Sequence, residues 1–211
     1  MMTKNNKDFI CSYLDEILPT ARCELNYTKD YELVIAVMLS AQTTDKSVNA
    51  VTCFLFKDHP TLKSLYQMSV KEIETYIHPL GLYKNKAQHL FDIVHDLVER
   101  FKGIVPSDKN LLMSMNGIGN KTANVIRAEI FHIPELPVDT HVARVSKRLG
   151  LANIDDNPLQ IEEKLKKEFP EEKWIKLHHQ FIHFGRYVCT ARNPDCKNCK
   201  FNKKVCKNPI F

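Results

Sequence analysis

The stretch "MNGIGNKTANVI", residues 115–126, places two glycines one residue apart and a lysine two positions after the second. Gly117 and Gly119 can adopt backbone conformations that other residues avoid, so the segment predicts a tight turn before a helix from about Asn120 to His132. The N–H groups at the start of that helix would suit an anion such as a phosphate. The strand and the Gly-Lys-Thr triplet of a nucleotide-binding P-loop are missing, which favours a DNA phosphate. An ordinary helix–helix turn is the alternative.

Lys121 would lie in the first turn of the second helix, where the helix dipole opposes its positive charge. The dipole and partial burial both favour the neutral amine, which can act as a nucleophile. A surface lysine that contacts phosphate is the alternative. In "PVDTHVARV", Asp139 or Thr140 can cap the next helix, and a plain cap is a sufficient role for Asp139. If the fold brings Asp139 near Lys121, its carboxylate could accept a proton from the lysine or stabilise a cationic sugar.

Four of the seven cysteines crowd into 18 residues near the carboxyl end, with the spacing C-x6-C-x2-C-x6-C. They are Cys189, Cys196, Cys199 and Cys206. Disulfides are not expected in a chain that starts without a secretory signal. Four thiolates around a central C-x2-C suit either a tetrahedral metal or an iron–sulfur cubane; spacing alone favours zinc but does not settle the choice. The three remaining cysteines are expected to be small, buried hydrophobic residues: Cys11, Cys23 and Cys53.

The elements that must position these residues are predicted to be helices, because helical periodicity recurs and strand-like alternation is hard to find. The segment "ELVIAVML", residues 32–39, is ambiguous between a buried strand and a buried helix, and helical patterns on both sides favour a helix. Ser107-Asp108 can cap one helix, and Asn157, followed by Pro158, can begin another. Apolar stripes predict three further helices: Leu90, Val94, Leu97 and Phe101; Ile161, Leu165 and Phe169; Trp174, Leu177, Phe181 and Phe184.

The 211-residue chain is 44% apolar and 26% charged, which is ordinary for a globular protein, and its longest apolar run, residues 33–39, is too short to span a bilayer. The start, "MMTKNNKDFICSYLDE", lacks the apolar core of a secretory signal, which predicts a cytoplasmic location. From Cys189 to Phe211 six basic residues face one acidic residue, so this tail carries an excess equal to the whole net charge of +5. Such a patch indicates a polyanionic partner, with a solvated lysine-rich tail as the alternative.

Several stretches resemble the endonuclease III family of helix-hairpin-helix DNA glycosylases. The longest are "MNGIGNKTANVIRAEIFHIPELPVDTHVARVSKRLGL" and "HHQFIHFGRYVCTARNPDCKNC", and "ELVIAVMLSAQTTDKSVN" and "YIHPLGLYKNKA" also match in order. The resemblance implies an enzyme of base excision repair that removes oxidised pyrimidines from duplex DNA. It further implies cleavage of the abasic site on its 3′ side by β-elimination, carried out by a monomer at the nucleoid.

By this resemblance Lys121 is the nucleophile that forms a Schiff base with the deoxyribose, and Asp139 is the catalytic carboxylate. Enzymes that act on a base take it out of the stack. Gln42 would fill the vacated space and Leu82 would act as a wedge, although either could simply pack within its loop. The other implied DNA contacts are Gly117, Ile118, Gly119 and Arg192. The histidines at 141, 178, 179 and 183 could contact DNA or pack internally.

The resemblance implies an all-α fold of two helical lobes with a DNA-binding cleft between them. Residues 22–133 would form a six-helix lobe that ends in the helix-hairpin-helix, and residues 1–21 with 134–211 would form the second lobe. That lobe would carry a [4Fe-4S] cluster on the carboxyl-terminal loop, bound by Cys189, Cys196, Cys199 and Cys206, in place of zinc. Six residues rather than the usual five separate the last two cysteines. Met115-Asn116 stands where Leu-Pro is common, which predicts a less rigid hairpin.

Two other functions are compatible with parts of the sequence. A monofunctional mismatch or uracil-type DNA glycosylase would share the hairpin, the aspartate and the cluster, but would lack a lysine at position 121. A non-catalytic DNA-binding module with a structural zinc site would need neither Lys121 nor Asp139. Trapping of a covalent enzyme–DNA adduct with borohydride separates both alternatives from the bifunctional enzyme.

Overall fold

The computed structural model describes residues 2–202 and 204–207, and within these ranges the chain forms helices and no strand, which confirms the all-α prediction. In chain order the helices are α1 Lys4–Ile17, α2 Asp30–Leu39, α3 Asp45–Asp58, α4 Leu62–Tyr66, α5 Val70–Ile77, α6 Tyr83–Glu99, α7 Lys109–Met113, α8 Asn120–Phe131, α9 Thr140–Leu149, α10 Pro158–Glu168 and α11 Trp174–Tyr187. A short 3-10 helix, Glu171–Lys173, precedes α11. Over the described residues, no helix is both long enough and apolar enough to cross a membrane.

The chain divides into two compact units. One unit, Glu24–Phe131, contains α2 to α8 and with them the glycine hairpin. The other unit combines Met1–Cys23 with His132–Phe211 and contains α1, α9, α10, α11 and the four-cysteine segment. Lys203, which contributes to the basic tail, lies outside the described residues.

Helix α2 is the buried centre of the first unit. Every residue from Glu32 to Leu39 is buried, and α2 contacts α3, α6 and α8. A helix that is apolar all round must be enclosed by other elements, which explains why the ambiguous run folds as a helix here. The prediction for residues 32–39 is therefore confirmed.

Short polar side chains begin several of the helices in this unit. Thr44, Thr61, Ser69 and Asp108 each accept a hydrogen bond from the backbone N–H three residues later. Each side chain satisfies one of the N–H groups that a helix leaves without an internal partner. The predicted cap at Asp108 is confirmed, with its Oδ1 atom 2.9 Å from the nitrogen of Leu111.

The second unit is built around α11, whose predicted stripe is confirmed: Leu177, Phe181 and Phe184 are buried and Trp174 is half-buried. An aromatic cluster of Phe9, Tyr13, Phe184 and Phe201 joins α1 and α11 to the cysteine segment, with ring centroids 4.7 Å apart for Tyr13 and Phe201. The predicted start of α10 is also confirmed, because Asn157 accepts from the nitrogen of Gln160 and Pro158 is the first helical residue.

Gly185 allows α9 and α11 to approach closely. A Cβ atom at this position would lie 2.9 Å from the Cβ of His141 and 3.2 Å from a guanidinium nitrogen of Arg144. Glycine within a helix costs about 1 kcal/mol relative to alanine, so its presence here reflects the contact between the helices. This contact positions α9, the helix that Asp139 precedes.

Two predicted helix ends differ slightly from the structure. Helix α8 ends at Phe131, one residue before the predicted end, because His132 adopts a left-handed conformation with φ +52°. Phe101, the last member of the predicted α6 stripe, lies beyond the end of that helix at Glu99. The other three members of the stripe, Leu90, Val94 and Leu97, are buried as predicted.

Candidate active site

The predicted hairpin joins α7 to α8. Gly117 has φ +84°, and a Cβ atom at this position would lie 2.7 Å from Nδ1 of His89. Only glycine meets both conditions, the left-handed backbone and the close approach to α6. The Ile118 side chain is 4% exposed, so contact between this residue and a ligand would have to come from its main chain.

Side chains of α6, and Arg100 at its carboxyl end, also hold the hairpin. The Asn116 amide donates to Oδ2 of Asp92 at 2.7 Å, and the Gln88 amide donates to Oδ1 of the same carboxylate at 2.8 Å. Arg100 donates to the hydroxyl of Ser114 at 2.9 Å. The sequence predicted a less rigid hairpin because asparagine replaces the family's proline. The structure shows a compensating restraint, since Asn116 is bonded to α6.

Lys121 is the second residue of α8 and is half-buried. The helix begins directly after Gly119, whose carbonyl accepts from the nitrogen of Ala123 at 2.9 Å. The amine therefore lies in the first helical turn, as predicted, where the dipole disfavours a positive charge. Lys121 belongs to the unit Glu24–Phe131, and Asp139 belongs to the other unit.

Asp139 is the N-cap of α9 and is half-buried. Its Oδ1 atom accepts from the nitrogens of His141 and Val142, both at 2.8 Å. The capping prediction is confirmed for Asp139, and Thr140 is the first helical residue instead. These two bonds hold the carboxylate in one orientation while using only one of its two oxygens.

Gln42 and Leu82 share an uncommon backbone conformation. Gln42 lies between α2 and α3 with φ +53°, and Leu82 is the N-cap of α6 with φ +61°. Both side chains are exposed, Leu82 by 59%. Left-handed backbone is uncommon outside glycine and asparagine, and such strain tends to occur at ligand-binding sites. No sequence pattern indicated this conformation at either residue.

Lys86 was missed by the sequence reasoning. It lies in the first turns of α6, is 4% exposed, and donates from Nζ to the hydroxyl of Thr43 at 2.6 Å. Burial lowers the pKa of this lysine from its ordinary value. A signal was present, because position 86 lies four residues before Leu90 and so falls on the stripe that predicts the buried face of the helix.

The four carboxyl-terminal cysteines line one cavity, of about 350 Å³ counting the solvent at its mouth. Apolar side chains, among them Leu149, Phe184 and Phe201, form much of the remaining wall. Arg148 donates to Sγ of Cys189 at 3.2 Å and to the carbonyl of Thr190 at 2.7 Å. In residues 2–202 and 204–207, no three histidine, cysteine or acidic side chains form a group that could hold a single metal ion.

The thiol of Cys199 illustrates the electrostatics of this cavity. Burial raises its pKa, and the neighbouring thiols of Cys189 and Cys206 raise it further, against backbone hydrogen bonds from Phe201 and Asn202 that lower it. Four thiolates lining one cavity would repel one another, and a bound cationic metal centre would relieve that repulsion.

The six-residue spacing between Cys199 and Cys206 is accommodated by a tight turn. The carbonyl of Phe201 accepts from the nitrogens of Lys204, Val205 and Cys206, the last at 2.8 Å. The Phe201 ring is buried, so the turn is anchored in the core. Cys206 consequently reaches the same cavity as the other three cysteines.

The prediction for the three scattered cysteines was correct only for Cys11, which is buried. Cys23 is half-buried and Cys53 is exposed, so the prediction was wrong for Cys53. The reason is its position on α3, whose buried face consists of Val48, Val51, Thr52 and Leu55. Cys53 instead points outward and its thiol donates to the carbonyl of Ala50.

The histidines left open by the sequence make internal contacts. His178 and His179 are buried, and Nδ1 of His178 lies 2.8 Å from the carbonyl of Pro137, two residues before Asp139. Nε2 of His183 lies 3.0 Å from the carbonyl of Arg22, and Nδ1 of His141 lies 3.2 Å from Arg144. Arg192, a predicted DNA contact, is exposed.

Comparisons with known proteins place the chain in a family. Residues 35–171 match the family model described as HhH-GPD superfamily base excision DNA repair protein. Endonuclease III of Bacillus subtilis strain 168 is 39% identical, over 94% of this chain and 91% of that protein. Endonuclease III of Escherichia coli strain K12 is 40% identical, over 94% of this chain and 93% of that protein.

Solved structures show the same relationship. A trapped endonuclease III–DNA covalent intermediate, an estranged-adenine complex, is 41% identical and superposes with a TM-score of 0.93, covering 98% of this chain and 97% of that chain. A thermostable thymine-DNA glycosylase shares the fold, with a TM-score of 0.83 at 19% identity over 96% of each chain. The chain therefore belongs to the endonuclease III family within the HhH-GPD superfamily, and is a bifunctional DNA glycosylase and AP lyase of base excision repair.

Proposed function

We propose that this enzyme removes oxidised pyrimidines from duplex DNA and then cleaves the strand on the 3′ side, with Lys121 as the nucleophile. The supporting observation is the position of Lys121, a half-buried residue in the first turn of α8 directly after the hairpin. The 41% identical relative was trapped as a covalent intermediate with DNA, which requires such a nucleophile in that protein. That the enzyme acts as a monomer and at the nucleoid stays a prediction.

The proposed chemistry begins when the amine of Lys121 gives up a proton, which frees its lone pair for attack. Its nitrogen bonds to C1′ of the deoxyribose as the C1′–N1 bond breaks, and the base leaves with that electron pair and takes up a proton. The nitrogen then loses a proton, the C1′–O4′ bond breaks as O4′ takes up a proton, and the opened sugar is held as a Schiff base. Loss of a C2′ proton and breakage of the C3′–O3′ bond then cut the strand, and water releases the lysine.

Asp139 would provide the carboxylate for this reaction. One of its oxygens is occupied by the cap of α9, and the other has no hydrogen bond among the described residues. A carboxylate held in this way can accept the proton of an ammonium or face a developing sugar cation. The capping bonds would therefore orient the catalytic group.

Gln42 and Leu82 would replace the extruded nucleotide in the stack. Both are exposed at loop positions with left-handed backbone, an arrangement that the chain maintains at a cost of about 1 kcal/mol or more for each residue. An apolar wedge and an inserted amide offset part of the few kcal/mol that unstacking costs. This role explains the strain at both positions.

The hairpin would bind backbone phosphates through the main chain of Gly117, Ile118 and Gly119, and Arg192 would add a charged contact.

We expect Gly117→Ala to lower the free energy of unfolding by about 2 kcal/mol or more, because of its positive φ and the contact with His89. Gly119→Ala has open space at the Cβ position and is expected to change that free energy by less than about 1 kcal/mol while weakening DNA binding. Urea unfolding measures the stability of both variants, and duplex titration measures their affinity for DNA. If Gly117→Ala is as stable as the wild type, the requirement for glycine at position 117 is wrong.

We infer that the four cysteines bind a [4Fe-4S] cluster. The fit is supported by four thiols lining one cavity with apolar walls, and by an arginine that donates to one of the sulfurs. When bound, such a cluster would cross-link the carboxyl-terminal segment and could carry an electron. The purified protein is expected to be brown and to contain about four irons per chain. A colourless protein with one zinc would show that the zinc alternative is correct.

The Schiff-base chemistry is tested by borohydride trapping, since borohydride reduces a Schiff base to a stable amine. The wild-type protein is expected to form a covalent adduct with a thymine-glycol duplex and none with an undamaged duplex of the same sequence. Excision of the base without an adduct would indicate a monofunctional glycosylase. Binding without either activity would indicate a non-catalytic module.

A further inference from the structure

We propose that Lys86 is a positioning residue that couples the Gln42 loop to the start of the Leu82 helix, so that the two side chains enter the duplex as one unit. This inference rests on the proposed function, which assigns the two side chains to the extruded nucleotide. The observation that carries it is a partly buried hydrogen bond between the loop and the helix, from Nζ of Lys86 to the hydroxyl of Thr43.

The hydrogen bond connects the neighbours of both strained residues. Thr43 directly follows Gln42, and its nitrogen donates to the carbonyl of Ser40 at 3.1 Å, which closes the loop on itself. The nitrogen of Lys86 donates to the carbonyl of Leu82 at 3.1 Å, within the first turn of α6. A contact of 2.6 Å therefore joins two turns that are 43 residues apart in the chain.

A buried lysine is a poor choice for stability alone. Lys86 is 4% exposed, and no carboxylate among the described residues forms an ion pair with it. Burial lowers the pKa of the group, which reflects the cost of desolvating the charge. An apolar residue on this face of α6 would avoid that cost. Retention of lysine is explained by its reach to Thr43, which no apolar side chain could reproduce.

The coupling matters because insertion of one side chain without the other leaves the duplex partly stacked. Gln42 lies on a short loop and Leu82 at a helix terminus, and both backbones are in the sparsely populated left-handed region. A displacement of about 1 Å in a positioning group can slow a reaction by as much as about a hundredfold. The hydrogen bond holds the two loops in a single relative placement.

The test uses a duplex with 2-aminopurine opposite a non-cleavable abasic-site analogue. The fluorescence of 2-aminopurine rises when this base loses its stacking. Thr43→Val and Lys86→Met are expected to give about half or less of the wild-type amplitude at saturating enzyme. They should also slow single-turnover excision of thymine glycol about tenfold. Thr43→Ser keeps the hydroxyl and should restore both readouts. Lys71→Met makes the same chemical change at an exposed site of the same unit and serves as the control.

If Lys86 served only to stabilise the fold, Lys86→Met would lower the Tm. We instead expect Lys86→Met to have a Tm no lower than that of the wild type, because it removes a desolvated charge. The double variant Lys86→Met with Thr43→Val should be no worse than either single variant, since all three lack the same bond. Wild-type amplitude and rate in Thr43→Val, or additive losses in the double variant, would overturn the proposal.

Two further variants separate this inference from the function on which it rests. Gln42→Ala and Leu82→Ala should each reduce the 2-aminopurine signal. If they reduce it and Thr43→Val does not, the coupling is wrong and the proposed roles of Gln42 and Leu82 stand. If neither Gln42→Ala nor Leu82→Ala reduces the 2-aminopurine signal, the proposed roles of Gln42 and Leu82 are wrong, and the coupling has no function to serve.

Discussion

Replacement of Lys121 by alanine is expected to abolish the borohydride-trapped adduct and to slow strand cleavage at a thymine-glycol site by at least about 10³-fold. The reason is the absence of any other route to the Schiff base in the proposed reaction. Single-turnover cleavage and denaturing gel analysis of the adduct measure the two effects. Affinity for the damaged duplex should change by only a few-fold, since the hairpin main chain remains.

The same change should leave the fold slightly more stable. A positive charge in the first turn of α8 opposes the helix dipole, and alanine is the best helix former. Removal of the lysine is therefore expected to raise the free energy of unfolding by about 0.5 kcal/mol. A gain in stability together with a loss of chemistry is the pattern of a residue retained for function.

Lys121→Arg separates a nucleophile from a phosphate contact. The guanidinium keeps the charge and can bind phosphate, but it stays protonated and cannot attack a sugar. We expect Lys121→Arg to bind DNA as well as the wild type and to form no adduct. If Lys121→Arg retains strand cleavage, the lysine contacts phosphate and the nucleophile is another residue.

Local features of this fold were predictable from sequence because their causes are local. Asp108 and Asn157 cap helices through atoms three residues away, and the stripe on α11 follows from the helical repeat. The hairpin was equally predictable from the sequence, since Gly117 has the positive φ that its residue type suggests. Such predictions need no knowledge of the rest of the chain.

The sequence predicted which residues could carry out the chemistry of the site, but not the backbone conformations and hydrogen bonds that position them. Gln42 and Leu82 came from family resemblance, because neither residue type signals a left-handed backbone. The bond between Lys86 and Thr43 depends on where two distant loops meet, which periodicity cannot specify. For the cysteines, C-x2-C spacing allows zinc and iron–sulfur alike, because both need only four well-aimed thiolates.

Cys53 shows that residue type alone does not predict whether a side chain is buried. A lone cysteine is among the residue types most often buried, and on that basis it was assigned to the interior. Its helix, however, presents Val51, Thr52 and Leu55 to the core and leaves position 53 outside. The face of a helix is set by the whole stripe, so residue type alone misled at this position.

Asp139→Asn is expected to slow base excision by about 10²- to 10⁴-fold, the range for loss of a general acid–base group, and to leave the fold unchanged. The Oδ1 atom of Asp139 accepts from the nitrogens of His141 and Val142, and an asparagine carbonyl can accept both bonds. Asparagine is as good an N-cap as aspartate. The substitution therefore removes the carboxylate and keeps the cap. Single-turnover excision of thymine glycol and thermal unfolding measure the two consequences.

Asp139→Ala is the matched variant, because it removes the cap as well as the carboxylate. Loss of an N-cap costs about 1 kcal/mol, so Asp139→Ala should be less stable than Asp139→Asn by about that amount. Both variants should be equally slow in excision, since rate depends on the carboxylate and stability on the cap. If Asp139→Asn excises at the wild-type rate and Asp139→Ala is merely less stable, capping is the whole role of this residue. Because Asn keeps the α9 cap in place, a slow Asp139→Asn enzyme cannot be explained by displacement of that helix.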